Sequence, residues 1–495
     1  KAGGLSERQY GFIKKRSTID ALREVVDTAK YAISGKRWKG GRKKYCALIT
    51  LDVKNAFNSA KWANIIKALH DIHAPHYLIN IIMSYFQNRR LLYETDEGTQ
   101  SYSISSGVPQ GSVLGPLLWN LMYDGVLRIP QPKNVKTIAY ADDLIVIAVA
   151  KHLDDLRIKC NDSINGLRRW FNNMSLELAE QKTEVLLISS RKIEEKISLT
   201  IGECEITSQP HLKYLGVTVD SRLKFKDHLE NAARKANKIC NTLSRMMANK
   251  GCMRSSRRCL LTKAISSVIL YAAPIWIQAL ETKSYARSIN TVHRLSAIRV
   301  ISAFRTISSD AAEVLASMAP IDIQGDEFAR IYNLSETSTT AKREERRKSI
   351  AMWQQRWQTS CKGRWTYRLI SDIHLWIGRQ HGDLDFHLTQ ILSGHGCFRS
   401  YLFKYRHDFS QYCPTCTECI EDSEHVFFYC PRFSGIRENL KTILGGSITV
   451  ENLTALMCES SVKWKAVSEA ANVIMTKLRH LEQIRRQSVR EIEET

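Results

Sequence analysis

Apolar positions along this chain alternate between a period near 3.6 and short unbroken runs, and the changes of period mark out its elements. In "STIDALREVVDTAKYAISG", Ser17 precedes Asp20 by the spacing of a capping box, and Ile19, Leu22, Val26, Ala29 and Ile33 share one face, so the stretch predicts a helix that Gly35 ends. "YCALITLDV" (45–53) is short, apolar and β-branched, with a charge only at its end, which predicts a buried strand. A helix over "SAKWANIIKALHDI" follows, then one from Tyr77 to Phe86, and "RLLYETDEGTQSYSI" predicts a hairpin turning near Gly98. The glycine- and proline-punctuated "GVPQGSVLGP" leads into a helix from Leu117. Residues 135–150 predict two strands joined by a tight turn that holds two aspartates, 152–174 an amphipathic helix, and "EVLLIS" and "KYLGVTVD" further strands. From Asp227 onward the pattern is mostly helical.

This order describes an α+β arrangement, an antiparallel sheet backed by helices. The polar stretch "TSTTAKREERRKS" (337–349) has almost no apolar residue and reads as a linker. No repeat is visible. The longest apolar runs, such as Leu144 to Ala150, fall well short of the roughly 18 residues that span a bilayer, so no membrane segment is expected. The chain opens on Lys1 within "KAGGLSERQYGF", which has no targeting character and reads as the cut edge of something longer.

Charge narrows the partner. Seventy-two Lys and Arg against 50 Asp and Glu give a formal net charge of +22, suited to a polyanion such as nucleic acid or to an acidic membrane surface rather than to a small neutral metabolite. In "GKRWKGGRKK", Lys36, Arg37, Lys39, Arg42, Lys43 and Lys44 flank Trp38 and three glycines, a loop that can track phosphates, act as a nuclear address or simply turn in solvent. The 13 cysteines include four between 413 and 430, which fits a reducing compartment and one metal site rather than a disulfide framework. There "CPTCTECIEDSEHVFFYC" offers Cys413, Cys416, Cys419, His425 and Cys430, one cysteine more than a tetrahedral Zn²⁺ site needs. Phe427, Phe428 and Tyr429 beside it serve either to stack on single-stranded bases or as a miniature core.

The two aspartates raise the sharpest question. "AYADDLI" places Asp142 and Asp143 side by side between apolar runs, at a Coulombic cost unless something positive sits with them. Asp52 ends another predicted strand; if the strands are neighbours, the carboxylates emerge at one sheet edge. Two-metal catalysis uses such convergence, with the ions roughly 3.5–4 Å apart. Mg²⁺ takes one or two carboxylates and completes its shell from substrate phosphates.

"LDVKNAF", "SGVPQGSVLGPLLWNLMYD", "YADDL", "LAEQKTEVLL" and "KYLGV" occur in that order, and the chain thereby resembles the reverse transcriptases of non-LTR (LINE-type) retrotransposons, the insect Jockey-like groups most closely. The segments look like that family's motifs A to E, and the resemblance extends upstream to "LSERQYGFIKKRSTIDAL" and downstream through "LYAAPIWIQAL", "AIRVISAFRTIS" and "CPTC…EHVFFYCPRF". It implies a right-hand polymerase: partial fingers and palm over 1–205, motif E and a helical thumb over 206–336, and a mostly helical region over 350–495 with a zinc knuckle at 413–430. It implies RNA-directed DNA polymerase activity with an RNA template, a DNA primer or target and dNTPs as partners, two Mg²⁺ ions and one structural Zn²⁺, and a nuclear location, with the cytoplasm as the alternative. By the resemblance Asp52 and Asp142, with Asp143 beside them, hold the magnesium ions, and Lys182 protonates departing pyrophosphate. Phe57 closes against the ribose 2′-hydroxyl, Gln110 and Gly111 touch nucleotide or template, and Lys14, Lys15 and Arg16 hold the triphosphate, although Ile13 and Lys15 stand where relatives commonly have Arg and Gly.

The family's spacing C-x2-C-x8-H-x4-C selects Cys413, Cys416, His425 and Cys430; using Cys416 and Cys419 instead leaves five residues before the histidine, nearer the retroviral knuckle. The family's endonuclease would lie upstream of Lys1, and no ribonuclease H carboxylate pattern is visible downstream. The alternative expectation is a catalytically inactive nucleic-acid-binding remnant of such an element. A group II intron or telomerase-like polymerase shares the palm and is disfavoured by the cysteine cluster.

Overall fold

The computed structural model describes residues 4–34, 43–247, 253–334 and 338–493, with side chains to 487; the basic loop over 35–42, and Gly35 with it, lies outside the described residues. Contacts divide the chain into two units, which meet in sequence at His228 and Leu229.

The first unit runs α1 (Thr18–Ile33), β1 (Tyr45–Leu51), α2 (Ala56–Ser59), α3 (Trp62–Asp71), α4 (His76–Phe86), β2 (Arg90–Thr95), β3 (Gly98–Ser103), α5 (Gly115–Leu127), β4 (Val135–Tyr140), β5 (Asp143–Ala150), α6 (Leu153–Asn173), β6 (Glu184–Ile188), β7 (Ser198–Ile201), β8 (Cys204–Thr207), β9 (His211–Tyr214) and β10 (Val217–Asp220). Ser17 caps α1 with the reciprocal bonds its spacing predicts: its hydroxyl accepts from Asp20 N–H, and its own N–H donates to the Asp20 carboxylate at 2.8 Å.

The central sheet is antiparallel, in the order β4-β5-β1-β6. Because side chains alternate across a strand, Ala47, Ile49 and Leu51 of β1 share a face with Leu144, Val146 and Ala148 of β5, and this face packs against Trp119 and Met122 of α5 and Ile164 and Leu167 of α6. The opposite parity, Cys46 and Leu48 with Ile145 and Ile147, is equally buried, and α1 lies against β1, β4 and β5. Helices therefore back one face as expected, and α1 covers the second, which is why the strands read as continuous apolar runs rather than alternating ones. The β9–β10 hairpin turns through Leu215 and Gly216, both at positive φ, the two-residue loop that matches strand twist. The hairpin β2–β3 is exposed along its whole length.

The second unit is helical. It comprises most of α7 (Lys226–Ser244), then α8 (Ser255–Ile269), α9 (Ala273–Trp276), α10 (Lys283–Ile301), α11 (Ser309–Leu315), α12 (Ile321–Tyr332), α13 (Thr339–Thr359), α14 (Arg364–Leu369), α15 (Ile373–Gly378), α16 (Phe386–Ser393), α17 (Arg399–Lys404), α18 (Ser434–Leu444), α19 (Leu453–Glu459) and α20 (Ser461–Glu493). Its core runs unbroken from Ile298 and Val300 through Trp353, Trp357 and Trp376 to Trp464 and Ile474.

That continuity corrects two expectations. Of the linker expected over 337–349, the described part, 338–349, is helix: Ser338 caps α13, and the charges that made the stretch look solvated pin it to α12. Arg330 Nε lies 2.6 Å from buried Glu345, Arg330 also donates to Ser349 Oγ at 2.7 Å, and Arg346 pairs with Glu327 at 3.2 Å. The boundaries expected at 205 and around 337–349 move accordingly. The β9–β10 hairpin belongs by its contacts to the first unit, and from Leu229 onward the contacts form one unit, in which a single apolar cluster runs from Ala297 to Leu478 across the expected linker.

Glu313 on α11 is buried in that core with a polar neighbourhood of Asp310, Asp322 and Arg356. Burial, then repulsion from Asp310 and Asp322, outweighs attraction by Arg356 and pushes its carboxyl from the ordinary 4.5 up to about 8. Between those values the folded chain holds a proton that the unfolded chain releases, so this group lowers stability as pH rises, by at most about 1.4 kcal/mol per pH unit. Glu313→Gln should therefore leave the urea unfolding midpoint unchanged at pH 5 and raise it at pH 8; a midpoint that falls equally with pH in both proteins would refute the burial argument.

Candidate functional site

The register of β1 on β5 brings two distant parts of the chain to one rim. Leu51 pairs with Leu144, so the next position on each strand sets Asp52 opposite Asp143. β4 and β5 close through the pair Tyr140 and Asp143, leaving Ala141 and Asp142 as a two-residue loop. The carboxylates feel one another. Burial first, and then the charge of Asp52, raises the pKa of Asp142, while burial followed by Asp142 and Asp52 pushes Asp143 up to about 6.

Among the described residues these three are not drawn into the tight set of ligand atoms that a single ion would need. Mg²⁺ is ordinarily held by one or two carboxylates with water and substrate phosphates completing its shell, so a preformed three-residue set is not required of it. Hard oxygens, like charges and partial burial make the donor set one that fits divalent cations such as Mg²⁺.

Neighbouring segments fix each carboxylate. Ala179 N–H donates to Asp52 O at 2.8 Å, Lys54 N–H to Glu177 O at 2.9 Å, and Val53 bridges Leu178, so the segment before β6 is laid along the chain that follows β1. This brings Lys182 Nζ to 3.0 Å from Asp52 Oδ2, an ammonium set against the carboxylate rim. Tyr123 Oη donates to the backbone oxygen of Asp142 at 3.1 Å; burial and the three carboxylates raise its pKa well above the ordinary phenol value, which keeps it a donor. Tyr214 of β9 is also buried near Asp143, and burial followed by that charge raises its pKa.

Phe57 sits on α2, stacked on the fully buried Trp119 at 5.1 Å between centroids, with exposed Phe12 edge-on at 6.3 Å. Trp119 stacks in turn on Tyr123 at 5.0 Å, so an aromatic column joins Phe57 to the tyrosine that holds the aspartate loop. Val108 N–H donates to Phe57 O at 2.8 Å and Gly107 N–H to Ala60 O at 2.7 Å. Gly107 has φ +90°, and a Cβ there would lie 2.8 Å from Asn58 O, so only glycine lets this loop approach α2. Gln110 and Gly111 lie beyond it and are exposed, with open space around Gly111.

Lys14 and Lys15 are exposed as well. Arg16 differs from them. Its guanidinium donates to Gln9 O at 2.9 Å and to Glu7 O and lies 5.1 Å from the Tyr10 ring, so it braces its own segment. Missed by the sequence reading are Tyr123 and Gln9, both buried polar groups bonded to the Ala141–Asp142 loop. Neither stands in a periodic or charged pattern that would have drawn attention to it.

A separate centre lies in the second unit. His425–Tyr429 form a π-helical turn, with Cys430 N–H donating to His425 O at 2.7 Å, and this wide turn sets His425 and Cys430 on the same side. The ligand atoms of Cys413, Cys416, His425 and Cys430 lie within 4.8 Å of one another. Cys419 lies outside that group: it is exposed, and its backbone closes the loop by accepting from Cys413 N–H at 2.8 Å and donating to Cys416 O at 2.7 Å.

The donors fit a metal ion. His425 Nε2 is buried with no hydrogen-bond partner, and burial lowers the ring's pKa, leaving the neutral imidazole a ligand needs. Arg432 donates to Cys430 Sγ at 3.1 Å and Cys413 Sγ at 3.3 Å and pairs with fully buried Glu421. Burial opposes ionisation of Cys430, but the bonds and charge of Arg432 win and bring the thiol below its ordinary value. Of the neighbouring aromatics, Phe427 is core, Phe428 packs against it and meets Trp365 at 6.4 Å, and Tyr429 is exposed.

Residues 3–219 match the family model of the reverse transcriptase (RNA-dependent DNA polymerase). Curated relatives include the putative 115 kDa protein of the type-1 retrotransposable element R1DM of Drosophila melanogaster, 24% identical over 87% of this chain and 43% of that protein. A Pol polyprotein from the type-1 element R1 2 of Nasonia vitripennis is 26% identical over 67% of this chain and 86% of the relative. The RNA-directed DNA polymerase from the Drosophila mobile element jockey is 24% identical over 45% and 24% of the two lengths. The chain thus spans under half the length of the R1DM and jockey proteins. Among solved structures, telomerase from Candida tropicalis with a TWJ fragment of telomeric RNA overlaps 69% of this chain and 53% of that one at 12% identity and a TM-score of 0.34.

The knuckle geometry makes a direct prediction. Titration with cobalt(II) should produce the thiolate charge-transfer absorption of a tetrahedral site, weakened in Cys413→Ser and unchanged in Cys419→Ser; the reverse pattern would make Cys413 the spare cysteine.

Proposed function

We propose, from the match of residues 3–219 to the reverse transcriptase family model and the likeness to retrotransposon relatives, that the protein is the RNA-directed DNA polymerase of a non-LTR retrotransposon. It extends the 3′-hydroxyl of a DNA primer by dNTPs on an RNA template. The observation that supports this most is the convergence of Asp52, Asp142 and Asp143 at one sheet edge, where their charges are felt mutually and an ammonium faces them. In this reading Asp52 and Asp142 hold two Mg²⁺ ions, with Asp143 adjacent. Bound there, magnesium supplies a lowered pKa at the primer hydroxyl and charge stabilisation at the leaving oxygens.

The chain's own residues do the rest. Lys182, already on the rim, donates a proton toward departing pyrophosphate. Exposed Lys14 and Lys15 attract the triphosphate, while Arg16 holds their segment in shape. Phe57, fixed by its stack on Trp119, closes the space that a 2′-hydroxyl would need, and Gln110 and Gly111 border the nascent pair from an open loop. Rate enhancement then comes from positioning and electrostatics, as for other phosphoryl transfers.

The ion at the knuckle is zinc in this reading, since three thiolates and an imidazole form a soft, tetrahedral set. It is structural because four protein ligands close the shell. The net charge of +22 fits a duplex partner held through phosphates.

Primer extension on an RNA template tests the proposal. Asp142→Asn should lower the rate by about a thousandfold or more with RNA binding unchanged, the loss expected when a transition-state electrostatic group is removed. Equal RNA binding with no extension by the wild-type chain would instead mark a catalytically inactive nucleic-acid-binding protein. Phe57→Val should admit ribonucleotides at least about tenfold better relative to deoxynucleotides, by the worth of lost side-chain bulk in a pocket.

A further inference from the structure

The loop that carries the aspartates is strained at its first residue. Ala141 has φ +59°, in a two-residue hairpin loop where positive φ is ordinarily the province of glycine, at a cost of roughly 1–2 kcal/mol for a residue with a Cβ. Asp142 follows directly, so the direction of its carboxylate depends on the peptide on either side of Ala141.

A distant side chain holds that peptide. Arg8 to Tyr10 run beside β4: Ala139 N–H donates to Arg8 O at 3.0 Å and Tyr10 N–H to Ala139 O at 2.8 Å. Between them Gln9 is wholly buried. Its carboxamide oxygen accepts from Ala141 N–H at 3.1 Å and Gly11 N–H at 2.9 Å, and its nitrogen lies 3.4 Å from Ala141 O as donor. A primary amide presents the same donor and acceptor as a peptide group, so Gln9 continues the backbone ladder past the point where β4 turns away.

The clamp is itself braced. Asn120 Nδ2 donates to Gly11 O at 2.8 Å, and a Cβ on Gly11 would lie 2.1 Å from Ala141 N. No other residue than glycine fits there without moving the loop.

We propose that Gln9 is a positioning residue for the aspartate rim: its carboxamide holds Ala141 in the left-handed conformation that aims Asp142, so that divalent-cation affinity depends on a side chain that touches neither cation nor nucleotide. The consequence for catalysis rests on the polymerase reading above; the consequence for cation binding does not. Outer groups of this kind orient ligands, and their loss commonly costs about 10- to 100-fold in metal affinity.

Manganese(II) is the probe, with the unbound ion counted by electron paramagnetic resonance, alongside the Mg²⁺ dependence of primer extension and the thermal midpoint. Gln9→Met keeps length and volume and removes both hydrogen-bonding groups. It should weaken Mn²⁺ binding and raise the Mg²⁺ midpoint of extension by about tenfold, with the KM for dNTP unchanged. Adding Ala141→Gly should recover most of the loss, because glycine adopts positive φ unaided, whereas a general packing defect at Gln9 would gain nothing from it.

Wild-type Mn²⁺ binding in Gln9→Met, or no recovery in the double variant, overturns the proposal. If the wild-type chain binds Mn²⁺ and extends no primer, the polymerase reading falls while the Mn²⁺ titrations still decide the role of Gln9.

Discussion

Everything at the carboxylate rim depends on the register between β1 and β5. A shift of one residue would turn every side chain of β1 to the other face of the sheet and carry Asp52 away from Asp143. Both faces of these strands are buried, against α5 and α6 on one side and α1 on the other, so a slip would misplace two sets of apolar contacts at once. The electrostatic tension at the strand ends is sustained by packing further along the same strands. Carboxylates that repel one another are held together because Ile49, Val146 and Leu167 have nowhere else to go.

A second layer of order is polar and aromatic. The loop of Ala141 and Asp142 is gripped through its backbone, by Gln9 at one residue and Tyr123 at the next. Tyr123 also ends the column that starts at Phe57 and passes through Trp119. In the polymerase reading, the group that senses the sugar and the loop that holds the ions are therefore mechanically joined. The rotamer of Phe57 and the seat of Asp142 are two ends of one packed object.

The strands, the hairpin loop and the aspartate pair were legible because each leaves a local mark: a run of β-branched residues, a turn, a charge where none is expected. The motif order pointed to the reverse transcriptase resemblance for the same reason. What stayed hidden was tertiary. Gln9 is one polar residue in a polar segment, and its value comes from a strand partner about 130 residues away. Arg16 was expected at the triphosphate, and only its contacts reveal that it braces the backbone of Glu7 and Gln9. Residues 337–349 misled by composition, since a helix held to its neighbour by ion pairs has the same letters as a solvated spacer. The π-helical turn that sets His425 beside Cys430 was hidden as well, since no period in the sequence announces one.

That turn ties two kinds of cohesion together. Within six residues it turns His425 toward the cysteines, buries Val426 and Phe427 in the apolar heart of the helical unit and brings Cys430 back beside the same group. In the zinc reading proposed above, occupancy of the site and tertiary packing form one cooperative unit rather than an ornament on a finished domain. A chain synthesised while the ion is scarce would in that reading be released with Phe427 and its neighbours only half seated, sticky and open to proteases, so that supply of the metal would become a checkpoint on how much intact protein accumulates.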